Sequence, residues 1–296
     1  MGWIAGILAI AAAGVAFAVA AGYQMSRPAQ APVGPPPDDL GAETVLIPSP
    51  SGSTLRGWFA PGRPGAGGVL LLHGVQGNRL ATLPRFRLLH QAGYGVLAID
   101  FQAHGESPGK LITFGQLEAL DAAAAVDFLH SRLPAEKLGA IGISLGGAAA
   151  LVGPKPLPVQ ALVLESVYPD IDRAIADRIE YRLGPWGRLL EPPFVLVAGP
   201  ALGISSSVLR PIDRIGEVKA PMFVMAGIED RYTKIDETRE IFARANAPKE
   251  LWEVPGAGHS DLQAHAGAEY DRRLLDFFGR TLRAVDPAGG GMTPAP

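Results

Sequence analysis

The stretch Ala140-Ile-Gly-Ile-Ser144-Leu-Gly-Gly147 decides the fold prediction. An apolar run, Leu138–Ile143, enters it, and a run of small residues, 146–152, leaves it. This pattern predicts a buried strand that turns sharply into a helix, with Ser144 at the corner. The spacing Gly142-x-Ser144-x-Gly146 is typical of such an elbow, because a β-carbon at either glycine would clash with neighbouring backbone. We therefore expect the Ser144 hydroxyl to stand clear of the sheet.

Short apolar runs recur on both sides of this turn and alternate with helical patterns. Residues 44–47 and 54–59 predict a hairpin at one edge of a sheet. Further strands are predicted at 68–72, 95–99, 161–164, 222–226 and 251–254. The alternation indicates an α/β fold with a mostly parallel central sheet flanked by helices. The loops at the carboxyl ends of its strands should then gather along one edge.

A serine hydroxyl becomes a nucleophile only when a base takes its proton and a third group orients that base. His259 lies in a glycine-rich loop after the last predicted strand, which favours it over histidines that fall in helices. Asp230 directly follows another strand and is the predicted acid, with Glu229 and then Glu165 as alternatives. The chain order Ser144, Asp230, His259, each at the end of a separate strand, is the order expected of this fold.

Together with His73-Gly74, these motifs resemble the alpha/beta hydrolase superfamily over essentially the whole predicted folded domain. The stretch Asp100-Phe-Gln-Ala-His104-Gly-Glu-Ser107 is similar to a loop of its membrane-anchored alpha/beta-hydrolase-domain and serine-aminopeptidase-like branch. The resemblance implies that the N–H groups of Val75 and Leu145 form an oxyanion hole. It implies neither a cofactor nor a metal.

Three residues near these motifs are expected to lie outside the chemistry. We expect His73 to brace its loop and Asp100 to cap the loop after its strand, rather than to transfer protons. Relatives often carry arginine where this chain has Gln102, so any role of that arginine does not carry over.

Composition excludes several classes of protein. The chain of 296 residues has a net charge of −3, which leaves no basic surface for nucleic acid. It contains no cysteine, which excludes disulfides, thiolate metal sites and a cysteine nucleophile. The apolar share of 48% is sufficient for a large buried core.

Residues 1–26 are predicted to form a single-pass transmembrane anchor. Residues 2–26 carry no charge, and their apolar run reaches the ~20 residues that cross a bilayer. A cleaved signal peptide is the alternative, with Ala18-Val19-Ala20 or Ala29-Gln30-Ala31 as the cleavage site, although a basic leading region is absent. An apolar N-terminal segment exports the downstream domain by default, so we expect the domain on the periplasmic or extracellular side. Arg27, taken alone, favours the cytoplasm.

The remaining sequence divides into a linker, a domain and a tail. Residues 27–42 are predicted to be a proline-rich linker, 43–284 the hydrolase domain and 285–296 a disordered tail. Residues 166–219 interrupt the strand and helix alternation and are predicted to form a cap over Ser144. This cap holds a helix at 171–183 and an apolar stretch that packs on the domain, lines an acyl site or dips into the bilayer. Pro200 and Gly203 argue against a second transmembrane span.

The predicted function is a serine hydrolase that cleaves an ester or thioester with an apolar acyl group through an acyl-enzyme. A serine peptidase or amidase, or an acyltransferase, would use the same three residues. A membrane-tethered binding module on a hydrolase scaffold is the non-enzymatic alternative. The predicted partners are a small or lipid-like acyl substrate and the membrane. The natural substrate, its binding residues and the oligomeric state are left open.

Overall fold

The computed structural model describes residues 2–283. The strands in this range are β1 (Ala29–Gln30), β2 (Glu43–Pro48), β3 (Thr54–Ala60), β4 (Gly68–Leu72), β5 (Gly95–Ile99), β6 (His104–Gly105), β7 (Leu138–Ile143), β8 (Ala161–Glu165), β9 (Met222–Gly227) and β10 (Lys249–Val254). The α-helices in this range are α1 (Gly2–Met25), α2 (Leu83–Gln91), α3 (Glu118–Arg132), α4 (Leu145–Val152), α5 (Ile171–Leu183), α6 (Glu191–Leu202), α7 (Pro211–Arg214), α8 (Ile235–Arg244), α9 (Leu262–Ala266) and α10 (Ala268–Thr281).

Within these residues, eight of the strands form one sheet in the order β10-β9-β8-β7-β4-β5-β3-β2. The hairpin β2–β3 is antiparallel and pairs antiparallel with β5, while every other neighbour in the sheet is parallel. The parallel strands β4, β5, β8 and β9 are buried along their whole length, as continuous apolar runs require. The predicted fold class and the predicted edge hairpin are confirmed.

Helices cover both faces of the sheet. On one face, α3 and α4 bury small and branched residues, among them Val126 and Leu129, against β4, β5 and β7. On the other face, α10 buries a stripe made of Tyr270, Leu274, Phe277 and Phe278. Both faces of the sheet are therefore closed to a substrate. In sheets of this kind, ligands bind at the loops that follow the carboxyl ends of the parallel strands.

The predicted cap lies between β8 and β9. It contains the helix α5 at the predicted residues 171–183, a 3-10 segment at Pro185–Leu190 and the apolar helix α6. The helix α6 ends where Gly203 adopts a left-handed conformation with φ of +70°. One residue on the charged side of α5 does not face solvent. Asp177 is buried and pairs with Arg188 and Lys234.

The helix α1 packs by its second half against the cap helix α6. A β-carbon added at Gly22 would lie 2.7 Å from the Ala198 Cβ, so the two helices approach closely through small residues. The first half leaves its apolar side chains exposed, with Trp3 at 89%. Among the described residues, α1 is the one helix long and apolar enough to cross a membrane, a property that a signal sequence shares.

The predicted linker, 27–42, does not run free of the domain. Strand β1 pairs with β6, the N–H groups of Val33 and Gly34 donate to Glu106 at 3.1 and 3.0 Å, and Leu40 is 1% exposed. A carboxylate and an apolar surface of the domain hold this proline-rich segment. The boundary at residue 43 stays a prediction, and the predicted tail lies outside the described residues.

Candidate active site

The turn from β7 into α4 holds Ser144 in a strained conformation. Its φ of +49° and ψ of −108° are rare for a residue with a side chain. The surrounding backbone leaves no room for larger neighbours. A β-carbon at Gly146 would lie 2.3 Å from the Leu72 carbonyl oxygen, and one at Gly142 would lie 2.5 Å from the Gly147 Cα. The structure therefore has the elbow that the glycine spacing predicts.

The loop after β4 lies beside this serine. A β-carbon built on Gly74 would be 3.7 Å from the Ser144 Cβ, and Val75 is the next residue. Among the described residues, the N–H groups of Val75 and Leu145 have no backbone or side-chain acceptor. Two unpaired donors next to a serine hydroxyl are able to bind the oxygen of a substrate carbonyl.

A carboxylate and an imidazole meet at the ends of β9 and β10. Asp230 Oδ2 lies 2.8 Å from His259 Nδ1, while Asp230 Oδ1 accepts the N–H groups of Tyr232 and Thr233 at 2.8 and 2.9 Å. The carboxylate is buried, so its position and its hydrogen bonds fix the orientation of the ring. Nδ1 of the neutral ring then donates, which leaves Nε2 free to accept a proton.

The other two acid candidates lie elsewhere. Glu229 is exposed, although it is the neighbour of Asp230. Glu165 is buried and bonded to Arg85, whose Nε and Nη2 donate to its two oxygens at 3.0 and 2.7 Å, and to the Tyr270 hydroxyl. Of the three candidates, the structure brings only Asp230 to His259.

Ser144 and His259 line the same cavity, which has a volume of about 1140 Å³. Among the described residues, no direct hydrogen bond joins the Ser144 hydroxyl to the His259 ring. Such bonds are often long in a free site and shorten when a substrate is bound. The arrangement thus brings Ser144 and His259 to one cavity, with Asp230 already paired with His259.

Much of the cavity wall is apolar and comes from α1, α5 and α6. The lining side chains of these helices include Ala11, Val15, Phe17, Ala18, Ala21, Ile175, Ile179, Phe194 and Val197. The charged side chains on the wall are Arg85, Arg178, Arg182 and Asp261, with His259 as the titratable base. The cavity therefore suits a substrate that is largely hydrocarbon.

His73 and Asp100 hold loops, as their sequence positions predict. His73 Nδ1 donates to the Gly74 carbonyl at 2.7 Å, and its Nε2 accepts the Phe101 N–H at 3.1 Å. Burial lowers the pKa of His73 to about 3, so the ring stays neutral. Asp100 pairs with Arg79 and accepts its N–H at 2.7 Å. Gln102 is similarly structural and donates to Leu111 and Glu118.

Sequence reasoning missed three residues around the site. Tyr232 packs edge-on against His259 at 5.5 Å between ring centroids, and Arg178 lies 5.2 Å from the centre of the Tyr232 ring. Ser166 follows β8 with φ of +49°, and its buried hydroxyl has no partner among the described residues. The sequence holds no local signal for Arg178. Tyr232, by contrast, stands two residues after the predicted acid, and Ser166 directly follows the acid candidate Glu165.

The described residues contain no group of His, Asp or Glu side chains arranged to hold a metal ion. The absence of a cofactor stays a prediction.

Comparison with known proteins identifies the class to which this fold and site belong. The family model described as "Alpha/beta hydrolase family" matches residues 69–273, which is more than half of the chain. The chain belongs to the alpha/beta hydrolase family.

Similar proteins span nearly the same length as this chain. The uncharacterized protein Rv2307c of Mycobacterium tuberculosis is 31% identical over 242 residues, covering 80% of this chain and 78% of the relative. The alpha/beta hydrolase domain-containing protein WAV2 of Arabidopsis thaliana is 26% identical over 261 residues, covering 83% and 82%. Among solved structures, the Pyrococcus furiosus esterase PF2001 superposes with a TM-score of 0.73 at 29% identity, covering 88% of this chain and 99% of the esterase. These likenesses support a hydrolase of the esterase kind.

Proposed function

We propose that this protein is a serine hydrolase that cleaves an ester or thioester with an apolar acyl group. The observation that carries the proposal is the 2.8 Å hydrogen bond between Asp230 and His259 on the wall of the cavity that holds the strained Ser144. The apolar lining from α1 and α6 supports the nature of the acyl group. The similarity to an esterase of known structure supports the choice of an ester.

The proposed mechanism has two halves. His259 Nε2 takes the proton as Ser144 Oγ attacks the acyl carbon, and Asp230 stabilises the resulting imidazolium. The carbonyl oxygen becomes an oxyanion that accepts the N–H groups of Val75 and Leu145. The carbon–oxygen or carbon–sulfur bond then breaks, and His259 returns the proton to the departing alcohol or thiol. Water attacks the acyl-enzyme by the same proton path, which releases the acid and restores Ser144.

Hydrolysis of p-nitrophenyl esters of increasing chain length tests the proposal. We expect turnover by the full chain and a loss of at least about 10⁴-fold in kcat in Ser144→Ala, because the nucleophile is absent. Ser131→Ala, on the exposed end of α3, is the matched control and should retain turnover. Activity on peptide amides but not on esters would favour the peptidase alternative. No turnover of either kind would favour a binding module.

We also propose that α1 anchors the chain in a membrane, with the domain on the exported side. Apolar side chains are exposed both on α1 and on the cap, where Trp186 is 83% exposed and Leu196 is 75% exposed. Exposed apolar side chains of this size favour contact with lipid. The protein should stay with the membranes during carbonate extraction, and its intact mass should include residues 1–26. Cleavage after Ala20 or Ala31 would instead remove the residues before that site. Protease protection in sealed vesicles decides the orientation.

A further inference from the structure

We propose that the substrate is an anionic lipid-like ester, whose acyl chain lies between α1 and α6 and whose phosphate binds Arg178 and Arg182. This inference rests on the proposed function, since it concerns the same cavity. The charges of the cavity wall, their partners and their positions relative to His259 support it.

The two arginines lie one turn apart on α5 and both line the cavity. Among the described residues, neither forms an ion pair, and the hydrogen bond of Arg178 goes to the carbonyl of Ala174 at 2.9 Å. Arg188, on the same cap, shows the contrast, because it pairs with Asp177 and Glu180. Arg178 thus presents a half-buried guanidinium, without an ion pair within residues 2–283, to a cavity that is otherwise largely apolar, while Arg182, on the same wall, is also exposed to solvent.

The remaining charges on the wall do not balance these arginines. Arg85 is already paired with the buried Glu165 and with Asp261. Asp261 is the acidic residue on the cavity wall, and its ion pair is with Arg85 rather than with Arg178 or Arg182. Burial lowers the pKa of the half-buried Arg178, and the charges of Asp230 and Asp177 offset this shift only in part. A guanidinium keeps its proton in proteins, so an anionic group of a ligand is the partner that would offset this cost.

The position of Arg178 suits a group attached to the alcohol part of an ester. Its guanidinium lies over the Tyr232 ring, and this ring in turn contacts His259 at 5.5 Å between ring centroids. A single ring thus separates Arg178 from the base that protonates the leaving alcohol. Arg178 also lines a smaller pocket together with Ser144, Phe194 and Ala198. Arginine binds phosphate oxygens in a bidentate manner, which favours a phosphate over a neutral headgroup.

The rest of the wall provides the place for the acyl chain. Side chains of α1 and α6, including Val15, Phe17, Phe194 and Val197, form an apolar surface along the same cavity. A hydrocarbon chain gains free energy with each methylene group that it buries against such a surface. The combination of an apolar wall with unpaired arginines fits a monoacyl glycerol phosphate better than a neutral ester.

Competition between matched substrates tests the inference with the full chain in detergent micelles. We would measure kcat/KM for a monoacyl glycerol phosphate and for the monoacyl glycerol with the same chain, and take their ratio. We expect the ratio to favour the phosphate and to fall about tenfold to a hundredfold in Arg178→Gln, with a smaller fall in Arg182→Gln. Arg178→Lys should retain part of the preference, since it keeps the charge but loses bidentate binding. Arg272→Gln, on α10 and away from the cap, changes the net charge equally and should keep the original ratio.

The outcomes separate the two proposals. If the protein without substitutions hydrolysed no ester, the proposed function would be wrong. Hydrolysis with no preference for the phosphate, or a preference that survives in both Arg178→Gln and Arg182→Gln, would contradict only the inference. If an alkyl carboxylate inhibited more strongly than an alkyl phosphate, the arginines would bind a carboxylate, and the proposal of a phosphate group would be wrong. If inorganic phosphate inhibited as strongly as an alkyl phosphate, the proposal that the ligand carries an acyl chain would be wrong.

Because the measured quantity is a ratio, a partly unfolded variant still gives a result. Arg182→Gln tests the inference if Arg178→Gln does not fold.

Discussion

The floor and the roof of the cavity are built in different ways. The floor consists of the elbow at Ser144 and the loops that carry Val75, Asp230 and His259, and its acid and base are held by hydrogen bonds within the described chain. The roof consists of α1, α5 and α6, which present apolar side chains and two arginines that have no ionic partner within residues 2–283. Under the proposed function, the floor carries out the chemistry and the roof selects the substrate.

The first prediction concerns a charge in the floor and has the largest expected effect. We expect Asp230→Asn to lower kcat for ester hydrolysis about 10⁴-fold, because the amide no longer stabilises the imidazolium or fixes its tautomer. Glu229→Gln removes a charge from the neighbouring exposed residue and should change kcat little. Steady-state kinetics on a p-nitrophenyl ester measures both. Equal losses in the two variants would show that the floor does not depend on this hydrogen bond.

The second prediction concerns the backbone of the floor. In Gly146→Ala, the new β-carbon would lie 2.3 Å from the Leu72 carbonyl oxygen, so we expect the free energy of unfolding to fall by about 3 kcal/mol or more. Gly279→Ala, within α10, meets no atom within 4 Å and should raise stability by about 0.5–1 kcal/mol. Urea denaturation measures both changes. A Gly146→Ala protein as stable as the unchanged chain would mean that the elbow is not tightly packed.

The third prediction concerns the roof. Phe194 lines the cavity from α6, so Phe194→Ala should lower the ratio of kcat/KM between long-chain and short-chain esters about tenfold. Leu196→Ala is the control on the same helix, because that side chain is 75% exposed. Kinetics with esters of two chain lengths provides the ratio. If Phe194→Ala lowered both rates equally, the roof would contribute to stability rather than to selection of the acyl chain.

The fourth prediction concerns the pH dependence of the free energy of unfolding. It compares the buried His73, in a loop of the floor, with an exposed histidine. Burial holds the pKa of His73 at about 3, below its ordinary value of 6.5, and also lowers the pKa of His104. The unfolded chain therefore binds protons first as the pH falls. The contribution of each ring to stability is fully present above pH ~6.5 and decreases below it, by about 1.4 kcal/mol per pH unit for each group.

Urea denaturation between pH 7 and pH 5 measures this slope. We expect His73→Asn to be less stable at pH 7 but to show a flatter pH dependence than the unchanged protein. His130→Gln, at an exposed position on α3, should leave the slope as it is. An unchanged slope in His73→Asn would contradict neutral burial of this ring.

The floor could be predicted from the sequence because its signals are local. Glycines flank Ser144 where backbone segments touch, and Asp230 and His259 lie in the loops after β9 and β10, whose apolar runs are easily recognised. The choice between Asp230 and Glu229 could not be made in this way, because one residue of register decides which side chain turns inward. Only the geometry, with Asp230 buried and bonded to His259, distinguishes them.

The roof could be predicted only in part, because its contacts are distant in sequence. The helix at 171–183 follows from its pattern, but the pattern does not tell that Arg178 faces the cavity or that Asp177 is buried. The docking of residues 27–42 depends on Glu106, which is far along the chain and carries no local signal. The packing of α1 on α6 depends likewise on a match between Gly22 and Ala198.

Reaction with an alkyl fluorophosphonate, followed by peptide mass spectrometry, tests the central claim most directly. The reagent forms a stable adduct with a serine that is activated by a neighbouring base. We predict one adduct, on Ser144, which forms much more slowly in His259→Gln and is absent in Ser144→Ala. An adduct on another residue, or ester hydrolysis that continues undiminished in Ser144→Ala, would contradict the account.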